Sequence, residues 1–195
     1  MKCAIFLAEG FEDCEALITV DMMRRAKVEI DMVSITDRPE VLSSHRVLIR
    51  ADKVWAEIRP EDYDVLILPG GKLGTQNLEA FEPVKEAFRK HFEAGRLTCA
   101  ICAAPSILGH MGLLAGRRYT CFPEFADASY QGEYEMEMAV KDGCLITGRG
   151  MGATIEFARL ILKQLVDAET MAHLEYGMQY EHSYAELCRR HNQEG

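Results

Sequence analysis

Val65-Leu66-Ile67-Leu68 is an unbroken aliphatic run that closes on Pro69-Gly70-Gly71-Lys72-Leu73-Gly74. A strand with no polar alternation is covered on both faces, which places it inside a parallel sheet with helices above and below. The glycines permit φ > 0 and bring backbone amides close to whatever lies at the strand's carboxyl end. The same strand–loop–helix order recurs along the chain. Lys2 to Ala8 reads as a buried first strand, and Glu9-Gly10-Phe11-Glu12 leads into an amphipathic helix from about Asp13 to Arg25, with Ala16, Leu17, Val20 and Met23 on one side. Val28 to Ile35 is a second strand, with Val28, Ile30, Met32 and Ser34 alternating against Glu29, Asp31, Val33 and Ile35. Short extended pieces follow at Val47 to Ile49 and Val54 to Trp55, as an excursion before the next core strand.

After Pro69 to Gly74, read as a loop, a helix from about Glu82 to Ala94 precedes the short strand Leu97 to Ile101, and Pro105 opens another helix. Tyr119 to Phe122 and Met136 to Val140 are extended candidates, and Cys144 to Thr147 is a strand after the Asp142-Gly143 turn. Gly152 to Val166 and Ala168 to Gly177 read as helices. The alternation predicts an α/β, doubly wound, mostly parallel sheet with helices on both faces. At 195 residues the expectation is one domain over 1–195, with 167–195 as an additional C-terminal helical segment.

A net charge of −9 opposes a nucleic-acid partner, which needs a basic face. The apolar start of the chain stops at Glu9, and no stretch approaches the ~20 residues that span a bilayer, so the expected compartment is the cytoplasm with no membrane partner. Seven cysteines, an odd number scattered through strands and helices, suit free thiols.

Ligand sites in a doubly wound sheet lie beyond the carboxyl ends of the strands. Three loops end there: one carries Glu9, Glu12, Asp13 and Glu15, one Gly70-Gly71, and one Cys102 to Pro105. Cys102 falls at the joint between strand and helix, where a tight turn lifts a thiol clear of the sheet edge. The N–H groups of the following helix predict a lowered thiol pKa, while a buried structural cysteine is the other reading. Glu9, Glu12 and Asp13 read as solvated charges at a helix start. Glu15, a turn into the helix, can point back over the sheet edge; charged, it raises the pKa of a neighbouring thiol, and protonated it lowers it. The Gly71 and Ala103 N–H groups form a candidate oxyanion site above Cys102.

Other patterns are weaker. Gly148-Arg149-Gly150-Met151-Gly152-Ala153 satisfies G-x-G-x-x-A, but residues 167 to 195 show no strand to complete a dinucleotide fold. Cys99-Ala100-Ile101-Cys102 matches C-x-x-C, yet strand alternation puts the two thiols on opposite faces about 10 Å apart, beyond disulfide reach. The six histidines show no metal-ligand spacing. Neither a cofactor nor a metal is expected.

With Glu15, Gly70-Gly71, Cys102 and Gly148-Arg149-Gly150 identified, the sequence resembles the ThiJ/PfpI superfamily, in the Parkinson disease protein 7-like branch, from residue 1 to about 166. Leu68 to Leu78, Ala100 to Pro105, and Gly148-Arg149-Gly150 leading to Glu156-Phe157-Ala158 carry the resemblance. It implies a flavodoxin-like, class I glutamine amidotransferase-like sandwich and a homodimer. Cys102 is then the reactive cysteine, Glu15 its protonated partner, and Gly70, Phe122, Arg149 and Gly150 line the site. The implied chemistry is glyoxalase- or deglycase-like action on reactive aldehydes; the alternative is a redox-sensing or chaperone-like role through cysteine sulfinic acid, with a small aldehyde or an oxidant as partner. One departure is informative: Phe122-Pro123 stands where the branch commonly has His-Pro, and Ala103 replaces the His that follows the cysteine in the protease-like branch. A Cys-His hydrolytic pair is therefore not expected.

Overall fold

The computed structural model describes residues 1–180. In chain order the elements are β1 (Lys2–Leu7), α1 (Asp13–Arg25), β2 (Glu29–Ser34), β3 (Glu40–Leu42), β4 (Leu48–Arg50), β5 (Lys53–Val54), β6 (Val65–Leu68), α2 (Lys72–Ala80) and α3 (Glu82–Glu93). They continue with β7 (Leu97–Ile101), α4 (Pro105–His110), β8 (Arg118–Tyr119), β9 (Glu133–Tyr134), β10 (Ala139–Asp142), β11 (Leu145–Gly148), α5 (Thr154–Leu162) and α6 (Ala168–Gly177). Among the described residues, seven strands form one sheet in the order β10-β11-β7-β6-β1-β2-β5. Its pairs are parallel except β10 with β11 at one edge.

Strand alternation divides the core into two layers. Cys3, Ile5, Leu7, Ile67, Cys99 and Ile101 meet Ala16, Val20 and Met23 of α1 and Phe157 and Ile161 of α5 on one face. Ala4, Phe6, Leu66, Leu68 and Ala100 meet Leu78 of α2, Val84 and Phe88 of α3 and Ile107 of α4 on the other. Removing each large aliphatic or aromatic side chain from water contributes roughly 1.5–3 kcal/mol. The two layers are the doubly wound α/β arrangement that the unbroken aliphatic runs required, and the flavodoxin-like sandwich that the resemblance implied.

Three departures from the sequence expectation have local causes. The segment after Pro69-Gly70-Gly71 is helix α2 from Lys72, not a loop. Gly74 lies inside it because a Cβ there would sit 2.6 Å from the Phe11 Cα, so the missing side chain lets helix and loop backbone touch. The excursion after β2 contains a hairpin, β3 against β4, which docks on the β1–α1 loop through Gly10 N–H to Leu42 O (2.8 Å) and Ser44 N–H to Phe11 O (2.8 Å). The helix expected over Gly152 to Val166 is a 3-10 turn, Met151–Ala153, followed by the shorter α5. Of the C-terminal segment, α6 packs Met171 and Leu174 into the first layer, and the Tyr180 hydroxyl donates to Glu156 beneath the Arg159 guanidinium. His182, Tyr184 and the remainder of 181–195 lie outside the described residues.

Candidate active site around Cys102

Cys102 leaves the sheet in the left-handed region, with φ 65°. Non-glycine residues rarely adopt this conformation, and one held there signals a surrounding structure that over-determines it. Here the Cys102 N–H donates to Gly148 O (2.9 Å), the Phe122 N–H donates to Cys102 O (2.8 Å), and Ala104 N–H closes the turn onto Ile101 O (3.1 Å). Pro105 then starts α4, and Ser106 Oγ ties the turn by donating to Ala103 O at 2.7 Å. The elbow expected at this position is the observed backbone. Extension of the candidate strand from Tyr119 to Phe122 stops at Tyr119. The Phe122 N–H is committed to the elbow instead.

Glu15, the third residue of α1, is fully buried and points back across the sheet edge. Its Oε2 accepts the Gly70 N–H at 2.8 Å, its Oε1 has no hydrogen-bond partner among the described residues, and the carboxyl lies beside the Cys102 thiol, close enough for each to shift the other's titration. The N–H groups of Ala103 and Gly71 reach the same sulfur. Gly71 N-caps α2 with φ 90°, which turns its amide inward. At Gly70 a Cβ would lie 2.6 Å from both Glu15 Oε2 and Cys102 Cβ. Glycine is what permits the carboxyl and the thiol to meet.

Burial pushes Glu15 up to about 7, against the pull of its Cys102 and Gly70 hydrogen bonds. The thiol does not follow the sequence expectation of a lowered pKa. Burial raises Cys102 above its ordinary value, Glu15 adds charge repulsion and a hydrogen bond that also raise it, and the Ala103 and Gly71 amides only partly offset them. The dipole of α4, a helix of six residues, competes with full enclosure of the turn. Two buried acids in contact titrate as one unit. Once the proton rests on Glu15 the repulsion vanishes, and the carboxyl O–H becomes a third donor to the sulfur.

Phe122 and Gly150 flank the opening. A Cβ on Gly150 would sit 3.7 Å from the Phe122 ring and 4.0 Å from Cys102 Sγ. The Phe122 ring is 41% exposed and rests edge-on against Phe125, centroids 6.4 Å apart. Arg149 is next to Gly150, but its guanidinium donates to Met136 O (3.0 Å) and its N–H to Met138 O (2.9 Å). Those bonds brace the 136–138 segment. Cys99 and Cys102 do not obey the alternation argued from the sequence, because Cys102 is no longer in the strand; both pack on the first core layer, and both are free thiols.

Asp13, expected to be solvated, is buried and holds the hairpin. It accepts from Ser43 Oγ and, at 2.6 Å, from His45 Nδ1. Burial pushes its carboxyl up, and the Ser43 and His45 hydrogen bonds outweigh that and lower it. With Glu12 these residues place three potential metal-ligand atoms within 4.8 Å of one another. Each residue already has a protein role, since Glu12 caps α1 by accepting the Glu15 N–H at 2.7 Å. The group has no signature in the sequence, because His45 lies 32 residues from Asp13 on a separate hairpin.

A cysteine held at positive φ between a central parallel strand and a helix, with a buried carboxyl against its sulfur, defines a cysteine-elbow protein of the flavodoxin-like class. The chain matches the DJ-1/PfpI family over residues 1–164 and belongs to that family. It is 35% identical over 178 residues to the Parkinson disease protein 7 homolog of Danio rerio, covering 89% of this chain and 94% of the relative. A protein named a deglycase from Pyrococcus abyssi is 28% identical over 167 residues, covering 85% of this chain and 99% of the relative. The chain spans 39% of the length of Protein DJ-1 homolog B of Arabidopsis thaliana, at 33% identity over 170 residues and 86% of this chain. Among solved structures, a mutant DJ-1 superfamily protein from Salmonella typhimurium superposes with a TM-score of 0.84 at 36% identity, covering 90% of this chain and 96% of that one. Among the described residues no helix is long and apolar enough to cross a membrane.

Proposed function

We propose that this protein acts on small reactive aldehydes, in the manner of a glyoxalase or deglycase, with Cys102 as nucleophile and Glu15 as its acid–base partner. The supporting observation is the fully buried Glu15 carboxyl, anchored by the Gly70 N–H beside the Cys102 thiol. Sulfur adds to the aldehyde carbon, the C=O π pair moves to oxygen, and the pair's proton finishes on that oxygen to give a hemithioacetal. The Gly71 and Ala103 amides steady the charge as it develops. With Phe122 where an imidazole would serve, the proton work falls to Glu15. Similarity to a relative named a deglycase supports the same chemistry. The reading takes residues 1–195 as one domain with 167–195 appended, working as a cytoplasmic homodimer without metal or cofactor. Wild type is expected to consume methylglyoxal and Cys102→Ser to leave it untouched; equal consumption by both overturns the proposal.

A second reading is favoured by the same carboxyl and the absent imidazole. Peroxide oxidises the Cys102 thiolate to sulfenate with release of water, and a second peroxide gives sulfinate, which protonated Glu15 stabilises. Intact and peptide mass after mild peroxide is expected to place two oxygens on Cys102. Even oxidation across the cysteines removes this reading.

A further inference from the structure

We propose that Phe122 and the methionines beside it form an apolar rim that selects electrophiles with an apolar tail, so that the preferred carbonyl substrate is a longer-chain or aryl α-oxoaldehyde and not methylglyoxal itself. The choice of carbonyl rests on the aldehyde reading above; the rim itself does not.

Nine large apolar side chains of the described residues are well exposed, and four of them belong to residues set around Arg149-Gly150: Phe122 faces Gly150, the Met136 and Met138 carbonyls accept from Arg149, and Met151 follows in the chain. Exposed apolar side chains set beside a reactive sulfur offer cover to the apolar part of a ligand. What it borders is the Cys102 sulfur, since the empty side-chain position of Gly150 lies 4.0 Å from Sγ and 3.7 Å from the Phe122 ring. The rim is fixed, not incidental. Phe122 is bonded through its N–H to the carbonyl of Cys102 and backed by Phe125, and Arg149 clamps the carbonyls of Met136 and Met138. A molecule whose reacting carbon meets Sγ therefore lays its next atoms along Gly150 against the Phe122 ring. The Met138 and Met151 thioethers suit such a surface, being apolar and able to follow differing tail shapes, while the Met136 sulfur is held by the Tyr134 hydroxyl at 3.3 Å.

The test is the rate of Cys102 alkylation in the full-length protein by N-methyl-, N-butyl- and N-hexylmaleimide, assigned by peptide mass and divided by the rates with glutathione. Thiol pKa cancels in the ratio between tails, so only tail binding is read. Fully burying one methylene corresponds to roughly a four-fold gain, and a half-open rim captures part of it. The hexyl reagent is expected to be at least about ten-fold favoured over methyl. That preference should fall several-fold in Phe122→His and in Met151→Gln and be retained in Phe122→Leu. A hexyl-to-methyl ratio within two-fold of glutathione overturns the proposal. So does a ratio that rises only on dilution to monomer in sedimentation, since a second copy then covers the rim. Aldehydes follow: phenylglyoxal should exceed methylglyoxal in kcat/KM, and the reverse order overturns the substrate assignment. Consumption of neither, with the maleimide preference intact, supports the rim and removes the aldehyde reading.

Discussion

Gly70 donates its N–H to Glu15 Oε2 at 2.8 Å, and a methyl group on Gly70 would fall 2.6 Å from that same oxygen and from Cys102 Cβ. One residue thus both orients the carboxyl and leaves room for it to reach the sulfur. In Gly70→Ala the neighbours to be displaced are a buried carboxyl, an elbow Cβ and the Ile101 carbonyl at 3.0 Å. Two of them are fixed to the backbone, and the carboxyl, though it ends a side chain, is fully buried and held by the Gly70 N–H. Overpacking of this kind costs about 1–3 kcal/mol. Urea unfolding is expected to show that loss, and the pH profile of Cys102 alkylation to lose the step belonging to Glu15. Wild-type stability together with an unaltered profile would mean that the carboxyl does not need this approach.

Glu15 also sets the direction of a pH effect on stability. Burial raises it from 4.5 to about 7, so between those values the folded protein keeps a proton that the unfolded chain has released. Raising the pH through that window favours the unfolded state, and stability is lost as pH climbs through the folded value. The shift corresponds to a loss on the order of 3 kcal/mol between pH 4 and pH 8. Urea midpoints at the two pH values should show wild type weakened at the higher one and Glu15→Gln nearly level. An identical slope in the mutant would assign the effect to other groups.

The legible features of the site are those written in short range. Cys102 sits at a strand-to-helix joint, Gly70-Gly71 ends an aliphatic strand, and Glu15 lies one turn into a helix whose start is marked by acids. Each placement follows from local periodicity and from the rule that sites gather at the strands' carboxyl ends. The direction of the thiol shift was not legible, because it depends on how completely three separate loops enclose the sulfur. Helix α2 was obscured by Gly74, which reads as a breaker until Phe11 is seen to need the space. Asp13 looked like one of several solvated acids, and only the hairpin carrying Ser43 and His45 makes it a buried one.

That hairpin should respond to the charge on His45. The Asp13 carboxylate raises the imidazole above its ordinary pKa through a hydrogen bond and its charge. The imidazolium–carboxylate attraction is therefore fully present below the ordinary value and is lost as pH rises through the raised one. Amide exchange of Gly10 and Ser44, whose N–H groups bond Leu42 O and Phe11 O at 2.8 Å each, is expected to be better protected at pH 6 than at pH 8 after correction for intrinsic rates. In Asp13→Asn the difference should disappear and the His45 titration should return to its ordinary range. Protection that ignores both pH and the mutation would show that the backbone hydrogen bonds hold the hairpin without help from the His45 charge.

The elbow is braced from below by α5. Phe157 is fully buried, and a Cβ placed on Gly148 would meet Ile101 Cδ1 at 2.8 Å and Phe157 Cβ at 3.0 Å. Phe157 therefore presses on the end of β11 whose carbonyl, at Gly148, receives the Cys102 N–H at 2.9 Å. Phe157→Ala is expected to cost about 3–5 kcal/mol through lost burial and the cavity left behind, and Phe157→Leu clearly less. The strained φ at Cys102 depends on that carbonyl staying in place, so the alanine variant should also change the Cys102 alkylation rate under conditions where it remains folded. Leucine should restore the rate more fully than it restores stability, because the backbone needs only contact while the core needs volume. If alanine lowers stability as expected and leaves the alkylation rate untouched, the elbow is held by its own hydrogen bonds to Phe122, Gly148, Ile101 and Ser106, and the helix beneath it serves only the core.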